Sequence, residues 1–215
     1  MGAEKGGYLM AGHPEDAQIR ILTSCYERLD VPANVMCELD LGCGAGSFTT
    51  QLAELHPERQ IFCADVMLGR LRKVVRKMNR KKLENLTVLR CEARFLLGIM
   101  FPDNALDRIH LLCPDPWPKN RHRDHRLLCC DFTTQLHRVL KKQSGVFHFS
   151  SDDENYCDAV NRVISASGLF EEAPEEIADV ANVKSDFELR WLEMGKPVHH
   201  RAWRTLPLPD VTIGH

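Results

Sequence analysis

No stretch of this 215-residue chain is apolar for long enough to cross a bilayer as a helix. The opening MGAEKGGYLMAGHPEDAQ lacks the basic-then-apolar pattern of an export signal, so a cytoplasmic protein is expected. No fixed-period repeat and no low-complexity tract occurs, which argues against solenoids and fibrous arrays. Charge of one sign is lacking too: 28 basic against 30 acidic residues leave a net −2, so bulk charge does not make the chain a polyanion trap. Of the nine cysteines, Cys37, Cys43, Cys63, Cys91 and Cys113 are spread along apolar strand-like segments or lie at their ends, without the clustering of a disulfide framework. His122, His125, Cys129 and Cys130 lie close together, but a second pair of ligands at metal-site spacing is missing, and no metal is expected.

What is present is an alternation. Apolar runs VMCELDL (35–41), QIFCAD (60–65), NLTVLRC (85–91), RIHLLC (108–113) and VFHFSS (146–151) read as strands, and segments of helical period separate them. In the segment after QIFCAD, Leu71, Val74, Val75 and Met78 share one helical face and cations cover the rest. Repeated strand–helix units predict an α/β, Rossmann-like fold with a mostly parallel central sheet and helices on both faces. Ligands of such sheets bind beyond the carboxyl ends of the strands, where the strand order reverses. Asp40, Asp65, Glu92, Asp115 and Asp152 all sit at or just past a predicted strand end. Basic residues concentrate in RLRKVVRKMNRKK (70–82) and from Lys119 to Arg126, and acidic ones in SDDE (151–154) and EEAPEE (171–176). That asymmetry suits a basic face for nucleic acid, and equally two solvated surfaces.

The turn LDLGCGAGS carries chemistry. Gly42, Gly44 and Gly46 permit a tight strand-to-helix turn and close approach of a ligand to the backbone. The spacing is G-x-G-x-G, and Asp40 stands just before it. A carboxylate there would repel a pyrophosphate and attract a cation, such as the sulfonium and ammonium groups of S-adenosylmethionine. Asp65 ends the second strand where ribose hydroxyls would be accepted, and Glu92 after the third strand is a candidate for the adenine side, or an N-cap.

A second motif, CPDPWPKNRHRDHR (113–126), follows the fourth strand. Pro116 holds Asp115 in extended backbone and the prolines fix their own φ, so the carboxylate is aimed before any reaction begins. Trp117 is a candidate for stacking on a base, a contact worth about 1–3 kcal/mol, or for anchoring the loop.

With these residues in order the chain resembles the tRNA (guanine-N7-)-methyltransferases, a branch of the class I S-adenosylmethionine-dependent methyltransferases. The resemblance spans roughly 35–204 and includes P-D-P-W with its following Lys and Arg/His run, SSDD, and SDFELRWLEMG. It implies methyl transfer to guanine N7, at position 46 in the tRNA variable loop, with S-adenosylmethionine as donor and tRNA as partner. It also implies Asp115 as the catalytic residue, adjoining the donor. Asp40, Gly42, Gly44, Gly46, Asp65 and Glu92 would form the rest of the donor site. Lys119, Asp152, Ser185 and Glu188 would touch the substrate. The expected organisation is an N-terminal segment with a helix over 1–34, the methyltransferase domain over 35–205 and a tail over 206–215.

Ser185 and Glu188 also have the spacing of a helix capping box, with Phe187, Trp191 and Met194 on one helical face and Gly195 to end the helix. The chain departs from the family pattern at several positions. Ser185 replaces Thr, Trp191 replaces a Gly, and His199 and His200 stand where Trp-Asp is common. Cys43 is unusual within the glycine turn, and the segment before strand one lacks a long basic arm. These changes touch the substrate side more than the donor side, and leave a different guanine, another RNA or another acceptor such as a small molecule, or RNA binding without transfer, as alternatives.

Overall fold

The computed structural model describes residues 13–114 and 130–207. Within them the apolar runs become strands that have no solvent side to alternate toward. Strand β2 (Cys37–Leu41) is buried at every position, and so is β6 (Val146–Ser151). A short edge strand β1 (Ile19–Ile21) precedes β2. After it come α1 (Ser47–Leu55), β3 (Gln60–Asp65), α2 (Leu68–Lys81) and β4 (Leu86–Arg90). The short α3 (Ala93–Phe95) runs into a π-helical turn over Leu96–Met100, followed by β5 (Arg108–Leu112), α4 (Cys130–Val139), β6 and α5 (Glu154–Ser167). The chain closes through β7 (Phe170–Glu172), a 3-10 turn at Pro174–Val180, α6 (Asp186–Glu193) and β8 (His199–Thr205).

The eight strands form one sheet in the order β1-β4-β3-β2-β5-β6-β8-β7. All pairings are parallel except those of β8, which runs antiparallel to both β6 and β7. The order reverses between β2 and β5, so the crevice outside their carboxyl ends is where a ligand is expected. One apolar cluster packs α1 and α2 on the sheet and the other packs α3, α4 and α5 on its opposite face. On α2 the buried residues are Leu71, Val74, Val75 and Met78, the face read from the sequence. Burying each such side chain contributes about 1.5–3 kcal/mol. Among the described residues no helix is long and apolar enough to cross a membrane.

Strand β1 lies inside the N-terminal segment that the sequence sets apart from the domain. It pairs with β4 from Ile19–Val88 to Ile21–Arg90, and so belongs to the sheet. Three residues are too few to show a period of two. The helix expected in that segment is, within the described residues, a 3-10 turn over Pro14–Gln18.

Candidate functional site

Beyond β2 the backbone turns through three left-handed glycines, Gly42 (φ 79°), Gly44 (φ 56°) and Gly46 (φ 75°). The amides of Gly42 and Cys43 both reach the carbonyl of Ala64, at 2.8 and 3.0 Å, and lash the turn to β3. A Cβ placed on Gly42 or Gly44 would meet nothing within 4 Å, so both present bare backbone to open space. Gly46 differs. Its added Cβ would come within 2.7 Å of Val74 Cγ2, so this glycine lets α1 lie against α2.

A cavity of about 850 Å³ opens over the turn at the switch point. Its floor holds Asp40 and Asp65 with Gly42 and Gly44, Cys113 and Pro114 flank it from β5, and Ser185 and Phe187 wall it from α6. Asp40 is 3% exposed and accepts the hydroxyl proton of Thr49. Burial pushes its carboxyl up to about 7, against the Thr49 hydrogen bond and helped by the charge of Asp65. Asp65 accepts the amides of Met67 at 2.7 Å and Gly44 at 3.2 Å, and Arg70 lies 3.4 Å away. Burial raises the Cys113 thiol to about 11, so it lines the wall uncharged. A site of this kind offers acceptors to a cationic or hydroxyl-bearing ligand and bare backbone to a flat one.

The structure brings Asp40, Gly42, Gly44, Asp65 and Ser185 together around the cavity, and four other expected residues are not among its walls. Gly46 packs on Val74. Glu92 is exposed and caps α3, accepting the Phe95 amide at 3.0 Å, while its neighbours Cys91 and Ala93 reach the cavity. Asp152 is exposed beyond β6, where Asp153 takes the N-cap of α5. Glu188 turns inward, 2% exposed, to Lys184 Nζ at 2.6 Å and His200 Nε2 at 3.1 Å. The capping box is therefore half formed: Ser185 Oγ accepts the Glu188 amide at 3.1 Å, and the Glu188 carboxylate is engaged elsewhere. Phe187 and Met194 stay exposed on α6, and Gly195 (φ 71°) ends the helix. Asp115 and Lys119, with Trp117 and the His122–Cys129 group, lie outside the described residues. Among the described residues no cluster of side chains is arranged to hold a metal ion.

The basic face of α2 is largely spoken for. Arg70 faces Asp65, Arg72 binds Asp16 at 2.7 Å, Arg76 binds Glu15 at 3.2 Å, Lys77 approaches Asp186 at 3.8 Å and Lys81 pairs with Glu54. Lys73 lines the cavity and has no partner among the described residues. Sequence reading missed this division, because the carboxylates come from four other parts of the chain.

A parallel sheet with one reversed strand beside β6, a glycine turn after its first central strand and carboxylates at its carboxyl edge is the arrangement of the class I S-adenosylmethionine-dependent methyltransferases. Solved structures agree on the fold. The 16S rRNA methyltransferase KamB superposes with a TM-score of 0.58 at 16% identity, covering 80% of this chain and 88% of that one. The family model described as "Putative methyltransferase" matches residues 34–201. The tRNA (guanine-N(7)-)-methyltransferase of Syntrophotalea carbinolica is 35% identical over 172 residues, 79% of this chain and 74% of that protein. The protein of the same name from Thermotoga maritima is 32% identical over 158 residues, 74% of this chain but only 50% of its own length. The chain belongs to the tRNA (guanine-N(7)-)-methyltransferase family.

Proposed function

We propose that this protein methylates guanine N7 in tRNA, at position 46 of the variable loop, in the cytoplasm. The observation that carries the reading is the switch-point cavity, where Asp40, Asp65 and two open glycines lie opposite the end of β5. These residues fit S-adenosylmethionine, which supplies an electrophilic methyl group when bound. In this reading Asp40 faces the cationic end of the donor, Asp65 accepts ribose hydroxyls and the Gly42–Gly44 backbone lies against it.

Guanine N7 carries a lone pair and no proton, so the protein need not deprotonate it. Its tasks are alignment and compensation for the positive charge that grows on the purine. Pro114 is on the cavity wall, and the next residue in the chain is Asp115, which Pro116 follows. In our reading its carboxylate holds the donor edge of guanine and offsets that charge. Lys119 and the arginines after it hold phosphate.

The test is nucleoside mass spectrometry of unmodified tRNA incubated with protein and S-adenosylmethionine. N7-methylguanosine at position 46 is expected. A different methylated nucleoside, or none, overturns the reading. Asp115→Ala should abolish transfer while donor affinity stays within about threefold, since alignment and not donor binding is removed.

A further inference from the structure

A line of three imidazoles, two of them buried, crosses the sheet. Glu38 Oε2 meets His110 Nε2 at 2.8 Å, and His110 Nδ1 meets His148 Nδ1 at 2.9 Å. His148 Nε2 then meets His200 Nδ1 at 2.9 Å, and His200 Nε2 meets Glu188 Oε1 at 3.1 Å. Sheet register builds the line. His110 stands directly opposite His148, while Glu38–His110 and His148–His200 are diagonal neighbours, because Asp40 pairs with His110 and Ala202 with His148.

This line needs one proton more than its neutral rings supply. Four contacts in series between two carboxylates need four protons, and three neutral imidazoles carry three. With only three, one pair of lone pairs would face each other at hydrogen-bond distance, an unmet polar contact of the kind folded proteins avoid. The fourth proton does not reside on Glu38. Burial pushes that carboxyl up, but His110, Arg108 and Arg59 outweigh it and hold it down at about 2. Glu188 is likewise held low against burial by His200 and Lys184. His110 and His148 are 0% and 2% exposed, and burial disfavours charge on either ring. His200 alone of the three reaches water, with 27% of its side chain exposed.

We propose that His200 is a positioning residue for the methyl-donor cavity: it carries the fourth proton of this relay, and its imidazolium clamps Glu188 and so seats the start of α6 against the site. Ser185, Asp186 and Phe187 at that helix start all line the cavity. The seat has other ties, since Gln51 Nε2 donates to the Lys184 carbonyl at 2.9 Å and Lys77 lies 3.8 Å from Asp186. Losing the proton therefore loosens the wall and does not detach it. The charged and titratable groups around the clamp are His148 from β6, Glu188 with Lys184 from α6 and the segment before it, Cys113 just past β5, Asp152 beyond β6, and Arg201 on β8 itself. Farther along the relay stand Arg59, Arg108 and Asp179, paired with one another and with Glu38.

This proposal rests on the reading of the cavity as the donor site, so its experiment reads the two separately. The protonation of each ring nitrogen is followed by nitrogen-15 NMR of histidine-labelled protein from about pH 5.5 to 9. S-adenosylmethionine affinity is measured by calorimetry over the same range. The His200 ring should be doubly protonated at the acid end while His110 and His148 stay neutral. The relay's contribution to donor affinity should fall as that proton leaves. His200→Gln carries its donors on one amide nitrogen and offers an acceptor oxygen at the other position, so it does not reproduce two N–H groups on opposite sides. It should bind donor at least about fivefold more weakly at low pH and no differently at high pH. His200→Arg donates to both without titrating and should keep tight binding throughout. Neither substitution touches Asp40 or its Thr49 contact, so the ratios among the three proteins isolate the relay. A neutral His200 ring at the acid end overturns the proposal, as does a Gln-to-parent ratio that does not change with pH. Failure of the parent to bind donor at any pH would instead overturn the assignment of the cavity.

Discussion

The amide of Gly44 donates to Asp65 Oδ2 at 3.2 Å, so the carboxylate placed to receive a ribose is also the clamp on the glycine turn. Its other oxygen holds the Met67 amide at 2.7 Å and fixes the entry to α2. Asp65→Ala thus removes a ligand contact and two backbone anchors together. A hydrogen bond to a charged group is worth about 1.5–3 kcal/mol, so donor affinity should fall about ten- to a hundredfold. Calorimetry and thermal unfolding check both halves. A variant that melts early yet binds donor normally would leave Asp65 a purely structural role.

Asp40 sets stability against function. Its carboxyl stands at about 7 in the folded protein against an ordinary 3.8, so folding favours the protonated form. The stability this gives is complete below about pH 4 and is lost as pH rises through 7, with a ceiling of about 4 kcal/mol. Asp40→Asn keeps an acceptor for Thr49 and cannot ionise. It should melt higher than the parent at pH 8, by an amount that vanishes near pH 4, and should lose donor binding. In the parent, a cationic donor favours the ionised form, so the Asp40 contribution to affinity should strengthen from pH 6 to 8. A variant no more stable than the parent at pH 8 would show that the buried carboxylate is better solvated than its surroundings suggest.

These two carboxylates were legible in the sequence because strand ends, glycine spacing and charge are local signals. So was the buried face of α2, since Leu71, Val74, Val75 and Met78 recur at helical spacing. The rest was hidden for definite reasons. Strand β1 is too short to show a pattern. Glu188 reads as half of a capping box, and only the fold reveals that His200 and Lys184 compete for it. The histidine relay joins positions 38 and 52 residues apart, and nothing local to His110, His148 or His200 announces that sheet register will align them. The cations of α2 looked free because their acidic partners lie elsewhere in the chain.

Gly46 separates turn geometry from ligand contact. Its φ is 75°, and only the lack of a Cβ spares it a clash with Val74, so it answers to packing. Gly46→Ala should cost about 1–2 kcal/mol from the left-handed backbone alone, and more from contact with Val74. Adding Val74→Ala should recover the contact part and leave the backbone part, since it opens the space that the new methyl needs. Gly42→Ala has similar strain (φ 79°) but no neighbour within 4 Å, so it should melt nearer the parent and weaken donor binding by standing where the ligand lies. A double-mutant cycle read by denaturant unfolding checks the first pair, and calorimetry the second. Additive losses at Gly46 and Val74 would mean that α1 and α2 shift apart and do not clash.

The cations of α2 should divide by their partners. Arg72 makes a two-pronged contact with Asp16, at 2.7 and 2.8 Å, that ties the Pro14–Gln18 turn to the helix. A guanidinium so engaged must give up that carboxylate before it can take a phosphate. Lys73, the next residue, has no such partner among the described residues and stands on the cavity wall. Lys73→Ala should therefore weaken tRNA binding at low salt and lower the log–log salt slope by about 0.7 to 0.9, the signature of one lost phosphate contact. Arg72→Ala should leave the slope nearly unchanged and loosen the N-terminal turn. Filter binding at several salt concentrations distinguishes them. Equal slopes for parent and Lys73→Ala would place the RNA path away from α2, leaving the basic run from Lys119 to Arg126 to carry the phosphate contacts.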